Sequence, residues 1–341
     1  MEHDAVKLAD LLSLSCKVVL ICKKNSFIER LYNKRSYSFD VETVDFINKN
    51  ISISMLLQTR NILHQYEIRN VIFFGASELK VLYFSFIGKN LNVIVRHGTT
   101  KSRHKRGAFH RLIYSCVTYH VAISRHLLAN VRKIVPYKEN VRFEIIYPSF
   151  TFRESQNSIN TGDRKLNIIH IGRIVEGKGH KDAVYACKAL YDSGIDFQLL
   201  FVGNEESESY SKEVHKIVED MPYKEKVTFI GYVDNVWDYL NAADMFLYPS
   251  YGEGFGNVFV EAMAHGLSAV TYENTTFPEF MEMGFKFRMA KNRNIESLSE
   301  ELLQAAENLQ KDRIGYKSNI RLAADIFSGE RELKDWSAIL V

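Results

Sequence analysis

Neither disulfide nor metal chemistry announces itself in this chain. Its 341 residues include four cysteines, Cys16, Cys22, Cys116 and Cys187, with no zinc-type paired spacing and no disulfide framework. Buried free thiols in a reducing cytoplasm are the expectation. No stretch reaches the roughly 18 apolar residues that a membrane span needs. The N-terminus, MEHDAVKLADLLSLSCKVVLICKK, has an apolar stretch, but acidic residues precede it and Lys17 interrupts it. That is not the pattern of a signal peptide, so a cytoplasmic protein is expected, with contact at the inner membrane face left open. Charge of one sign is lacking too. Lys and Arg number 44 against 41 Asp and Glu, a net charge of +3 that names no partner by itself. No short repeat and no low-complexity segment is found.

What is present suits packed α/β domains. Hydrophobic residues make up 46% of the chain and aromatics 12%, enough for cores and too much for disorder. The length fits two domains of about 150 residues each. Strand-like runs occur at 17–24, 70–75, 91–98, 119–124 and 141–149, with helical spacing at 77–90 and 125–135. After a polar stretch at 151–165, read as a linker, strands at 166–172, 197–204, 226–233, 244–250 and 268–273 alternate with helices. The residues from 295 to 341 look helical. Two doubly wound α/β domains follow, the first over 1–155 and the second over 156–320. A C-terminal helix over 321–341 is expected to pack back on the first.

In such sheets, ligands sit beyond the carboxyl ends of the strands. Residues 171–179, IGRIVEGKG, follow one strand and fill most of the G-x-x-x-x-G-K-[ST] phosphate-loop pattern. Gly179 stands where that loop needs a magnesium-holding hydroxyl. The better reading is a cation pair, Arg173 and Lys178, in which a guanidinium fork and an ammonium neutralise a diphosphate without metal. A solvated pair of loop charges is the bland alternative. The stretch YPSYGEGFGNVFVEAMAHG (248–266) is more specific. Glu253 and Glu261 are separated by seven residues, and Gly254 and Gly256 permit tight turns. The helix that follows offers free N–H groups to an anion. Glu253 can accept from sugar hydroxyls and Glu261 from a ribose diol; exposed glutamates on a capped helix are the alternative.

EGFGNVFVEAMAHG resembles the E-x7-E signature of retaining glycosyltransferases with two Rossmann-like domains facing across a cleft (the GT-B fold). GRIVEGKGHKDAV resembles the Arg/Lys segment of the same family, which contains many bacterial polysaccharide and lipopolysaccharide enzymes. The resemblance covers roughly 166–280, and more vaguely 70–150. It implies that Gly172, Arg173 and Lys178 hold the diphosphate of a sugar nucleotide. Glu253 would then meet the donor sugar with the backbone of Gly254, Phe255, Gly256 and Asn257, and Glu261 the ribose. VIVRHG (93–98) resembles the strand-end histidine segment, so His97 is expected to face the donor sugar, a loop histidine being the alternative. Ser124 would touch phosphate or cap a helix, and Glu279 in FPEF is structural or part of a downstream segment. One departure is that ICKKNSF (21–27) has no glycine where the family often has a Gly-rich loop.

The basic stretch 96–111 carries Arg96, Lys101, Arg103, Lys105 and Arg106. It is expected on the acceptor or membrane side, with a solvated loop as the bland alternative. Nucleic acid is not expected, because interleaved aromatics are few. The expected activity is metal-independent, retaining transfer of a hexose-type sugar from a nucleotide donor to a glycan or glycolipid hydroxyl, with no cofactor. Alternatives are an epimerase or a phosphorylase on the same architecture, or an inactive sugar-nucleotide-binding subunit.

Overall fold

Apolar runs five or six residues long, separated by helix-length segments, leave the backbone one economical way to satisfy its hydrogen bonds: parallel strands joined by helical crossovers. The computed structural model describes residues 2–34, 36–46, 52–75, 77–105, 107–152 and 165–341. The chain packs as two units, Met1–Ser149 with Gly329–Val341, and Phe150–Ser328.

The first unit begins with α1 (Glu2–Leu12), β1 (Val19–Lys23), α2 (Phe27–Tyr32), β2 (Asp40–Val44) and α3 (Ile53–Gln65). There follow β3 (Asn70–Phe74), α4 (Leu79–Phe86), β4 (Asn92–His97), α5 (Ala108–Tyr114), β5 (Tyr119–Ala122), α6 (Arg125–Ile134) and β6 (Arg142–Ile145). Strands β3 to β6 form a parallel sheet in chain order, while β1 pairs with β2 in a separate parallel sheet. Strand β4 (NVIVRH) is buried along its whole length, its polar Asn92, Arg96 and His97 as well as its apolar Val93, Ile94 and Val95.

The second unit contains β7 (Leu166–Ile171), α7 (His180–Asp192), β8 (Phe197–Val202), α8 (Glu208–Glu219), β9 (Val227–Gly231), α9 (Trp237–Ala242) and β10 (Met245–Tyr248). It continues with α10 (Asn257–Ala264), β11 (Ser268–Tyr272), α11 (Phe277–Glu282), β12 (Arg288–Ala290), α12 (Ile295–Glu307) and α13 (Leu309–Ile326). Its six strands are parallel in the order β12-β11-β10-β7-β8-β9. The core under this sheet is built from fully buried residues such as Ile168, Cys187, Phe197, Phe201, Val270 and Leu302.

The linker expected at 151–165 lies mostly outside the described residues. The units divide earlier than the 155/156 boundary, at Ser149 and Phe150. Phe150 belongs to the second unit because its N–H donates to the Phe327 carbonyl at 2.9 Å and its ring stacks on Phe255. The helix expected from 321 is divided as well. Helix α13 stays with the second unit, and only α14 (Gly329–Ser337) joins the first. There Trp336 is fully buried in a cluster with Leu8, Leu12, Ile94 and Val121.

Candidate functional site

The strand order of the second unit decides where its chemistry collects. The chain enters at β7, builds β8 and β9 to one side, then adds β10 on the other side of β7. The carboxyl ends of β7 and β10 therefore flank the switch point at which open α/β sheets bind ligands. Residues 172–179 leave β7 there, and residues 249–256 leave β10.

The two loops are stapled together. The Tyr251 N–H donates to the Gly177 carbonyl at 2.8 Å, and the Ser250 Oγ lies 3.2 Å from the same oxygen. At Gly179 (φ +78°) a Cβ would lie 2.0 Å from the Pro249 carbonyl oxygen, so no side chain fits. Packing thus excludes the hydroxyl of a magnesium-holding phosphate loop at this position. The buried His170 donates from Nε2 to the Lys178 carbonyl at 2.9 Å. Burial pushes this imidazole down to about 4, so it remains neutral at ordinary pH.

Held this way, Lys178 meets Glu253. Its ammonium donates to Glu253 Oε1 at 2.6 Å, and the Tyr248 and Ser250 hydroxyls donate to the same oxygen, each at 2.7 Å. No donor among the described residues reaches Oε2. The lysine side chain is 21% exposed and the glutamate 12%, so the pair is partly withdrawn from water and its charges are weakly screened. Burial first, and then the charge of Glu253, raise Tyr248 well above the usual phenol range, which keeps its hydroxyl a donor. The Glu253 backbone N–H donates to Thr275 Oγ1 at 3.0 Å. Behind the loop, buried Asp182 accepts from Tyr251 at 3.1 Å and from Tyr272 at 2.7 Å. Sequence reasoning missed Tyr248, Ser250, Thr275 and Asp182. Tyr248 and Ser250 stand in the very stretch that carries Glu253, and their position at a strand end was the available signal.

The remaining expected site residues are distributed less evenly. Gly172 ends β7, where a Cβ would be 3.8 Å from the Tyr248 ring and 4.0 Å from Lys178 Cδ. Gly256 caps α10 in the left-handed region (φ +90°), and Asn257 opens that helix, exposed. Gly254 is half-buried and Glu261 half-buried in the second turn of α10. Phe255 is a core residue, packed on Phe280 and Phe327. Arg173 does not join the Lys178–Glu253 contact. Its side chain is 61% exposed and pairs with Glu206 at 2.7 Å, beyond the end of β8.

In the first unit, His97 is buried rather than in a loop, with Nε2 2.9 Å from Nδ1 of the equally buried His120. Burial and the neighbouring cations push the pair down, His97 to about 2 and His120 to about 3. Ser124 caps α6, accepting from the Leu127 N–H at 3.2 Å. Glu279 is buried in α11. Of the basic stretch expected on the acceptor or membrane side, Arg96 does not reach the surface. Arg96 is buried against the Phe74 ring and lies 3.9 Å from Asp4, because it closes the end of a fully buried strand. Lys101 and Lys105 are half-buried, with their backbone tied to Asn130 and Ile134 of α6. Arg103 is exposed, and Arg106 lies outside the described residues.

Residues 151–321, half of the chain, match the family described as Glycosyl transferases group 1. Over 150 residues the chain is 29% identical to the amylovoran biosynthesis glycosyltransferase AmsK of Erwinia amylovora, a match covering 42% of this chain and 36% of that protein. The chain thus spans little more than a third of this curated relative. Among solved structures it resembles a glycosyltransferase from Rickettsia africae (TM-score 0.85, 14% identity, covering 99% of this chain and 93% of that one). It also resembles Anabaena HepE in complex with UDP (TM-score 0.79, 16% identity, covering 98% and 95%). These likenesses establish a fold of two Rossmann-like α/β domains. On the match over its second unit, the chain belongs to the group 1 glycosyl transferases.

Proposed function

We propose that the chain is a retaining, metal-independent glycosyltransferase acting in cell-surface polysaccharide, lipopolysaccharide or capsule biosynthesis. It takes a hexose-type sugar from a nucleoside-diphosphate sugar to a glycan or glycolipid hydroxyl. The observation that carries this reading is the Lys178–Glu253 contact at 2.6 Å, made by two loops at the switch point of the sheet. Before the donor binds, the ammonium and the carboxylate satisfy each other. A diphosphate gives Lys178 a second anion, and a sugar hydroxyl gives Glu253 Oε2 a donor. As the glycosidic bond breaks, charge grows on the departing diphosphate, and a fixed ammonium in a site poor in water stabilises that charge more than it stabilises the ground state.

In this reading Arg173 swings from its exposed partner Glu206 to the diphosphate, a small cost because such a surface pair contributes little. The start of α10 at Gly256 and Asn257 offers its N–H groups, and Glu261 takes the ribose. His97 acts as a neutral imidazole, its Nδ1 having no partner among the described residues. Retention follows from attack on the face that the diphosphate leaves, and no protein nucleophile is assigned. UDP-sugars are the donors to try first, since the similar HepE was solved with UDP.

Incubation with UDP-sugars and a glycan acceptor in the presence of a chelator tests the reading. Nucleoside diphosphate release and the anomeric signal of the product by NMR are the readouts. The expectation is release without added metal and a retained anomeric configuration. An inverted product, or turnover unchanged in both Lys178→Ala and Glu253→Ala, overturns it.

A further inference from the structure

Positive charge is concentrated in the first unit far beyond what the whole chain suggests. Residues 46–137 hold fourteen Lys and Arg against two acids, Glu67 and Glu78. Three helices from this stretch pack side by side, α3 on α4 and α4 on α5. Their outer faces carry large apolar side chains that the fold leaves uncovered. Leu57, Phe84, Ile87, Phe109 and Leu112 are each between 43% and 54% exposed.

These residues are neighbours in space. The Arg60 guanidinium, one turn beyond Leu57, donates to the Ile87 carbonyl at 3.2 Å and joins α3 to the end of α4. Phe84 shares a face of α4 with Lys80, and α4 packs on α5, which carries Phe109 and Leu112. Exposed Arg60 and Arg111 lie on α3 and α5 beside Leu57 and Leu112, with half-buried Lys80 and Lys89 on α4 and just beyond its end. No described helix is long and apolar enough to cross a membrane.

A cluster of exposed Phe, Leu and Ile rimmed by cations has the composition of a surface that lies in the lipid headgroup region. We propose that the outer face of α3, α4 and α5 docks on an anionic phospholipid bilayer. The aromatic and aliphatic side chains enter the boundary between headgroups and acyl chains, and the ring of Lys and Arg sits among the phosphates. Nucleic acid fits this face less well. A single strand needs a cationic groove with aromatic platforms for its bases, and Leu57, Ile87 and Leu112 offer no ring to stack on. A second copy of the chain would bring the same cationic rim against itself. The surface belongs to the first unit and the Lys178–Glu253 contact to the second, and the inference does not depend on the reaction proposed there.

Flotation of the purified full chain with vesicles tests it, using phosphatidylcholine alone or mixed with phosphatidylglycerol. Binding to the anionic vesicles is expected to be at least about tenfold tighter than to neutral ones and to weaken with salt, each nearby cation contributing roughly fivefold. The triple variant Phe84→Ser, Phe109→Ser, Leu112→Ser should lose more than about tenfold with circular dichroism unchanged. Lys89→Ser with Arg111→Ser should reduce binding to the anionic vesicles only. The proposal is overturned if the wild type ignores both vesicles or binds both equally. It is also overturned if the variants bind as the wild type does, if an oligonucleotide displaces the protein from the vesicles, or if the triple variant instead dissolves a dimer.

Discussion

Removing the Lys178 ammonium would leave the Glu253 carboxylate, 12% exposed, with two hydroxyls and no cation. Lys178→Ala should therefore lower transfer by about a hundredfold or more, the usual scale for one charge-stabilising group. Glu253→Gln keeps an oxygen for the Tyr248 and Ser250 hydroxyls but removes the charge. It should retain the wild-type unfolding midpoint within a few degrees while losing comparable activity, as read by diphosphate release. Gly179 and Gly177 make a sharper contrast. Both have positive φ, but a Cβ at 179 meets the Pro249 carbonyl at 2.0 Å, whereas at 177 nothing lies within 4 Å. Gly177→Ala should cost only the left-handed strain, about 1 kcal/mol. Gly179→Ala must also push β7's loop away from β10's and should cost more than about 3 kcal/mol in urea unfolding. Equal costs would show that the clash relaxes. At this scale the sequence singled out Lys178 and Glu253 by residue type at two strand ends, and the structure brings the two into contact. The sequence paired Arg173 with Lys178, whereas the guanidinium turns to Glu206, more than thirty positions away, a contact that nothing local announces.

At the scale of elements, the strands carry two buried histidine pairs. His97 and His120 end or line β4 and β5, while His170 and His180 meet with ring centroids 4.3 Å apart between β7 and α7. All four are depressed by burial, His180 to about 2 and His170 to about 4. The folded chain therefore refuses protons that the unfolded chain accepts below about 6.5. Stability is insensitive to these groups above that pH and falls as the pH drops from 6.5 toward 4. Each histidine contributes up to about 1.4 kcal/mol per pH unit. Urea titrations at a series of pH values should show this steep acid slope, and a flat profile between 6.5 and 4.5 would contradict it. Asp182 is the matching test on α7. Asp182→Ala leaves the Tyr251 and Tyr272 hydroxyls without their acceptor and should cost about 2–4 kcal/mol, with transfer lowered as the 249–256 loop loosens. Most strands of both units were legible because unbroken apolar runs between turn residues admit little else. Helix α1 and strands β2 and β12 were not. Strand β2 alternates exposed Asp40 and half-buried Glu42 with valines, and β12 is three residues long, too short for a period to declare itself.

For the whole molecule, the chain's return to its first unit is the point most open to test. Trp336 is fully buried among Leu8, Leu12 and Ile94, residues hundreds of positions distant. Trp336→Ala should destabilise the first unit by about 3–5 kcal/mol. Trp237, the other tryptophan and a residue of the second unit, should report an unchanged transition. A second-unit transition that shifts equally would show that the two units unfold together. The sequence by itself determined the α/β alternation, the two-unit plan and the two loops that carry lysine and glutamate. Those depend on local periodicity and on residue type, and both are written along the chain. Tertiary structure alone decided that β10 lies beside β7, which brings Lys178 to Glu253, and that the outer face of α3, α4 and α5 stays uncovered. Strand order and surface exposure are set by which distant segments exclude water together, a choice that no short window of residues contains.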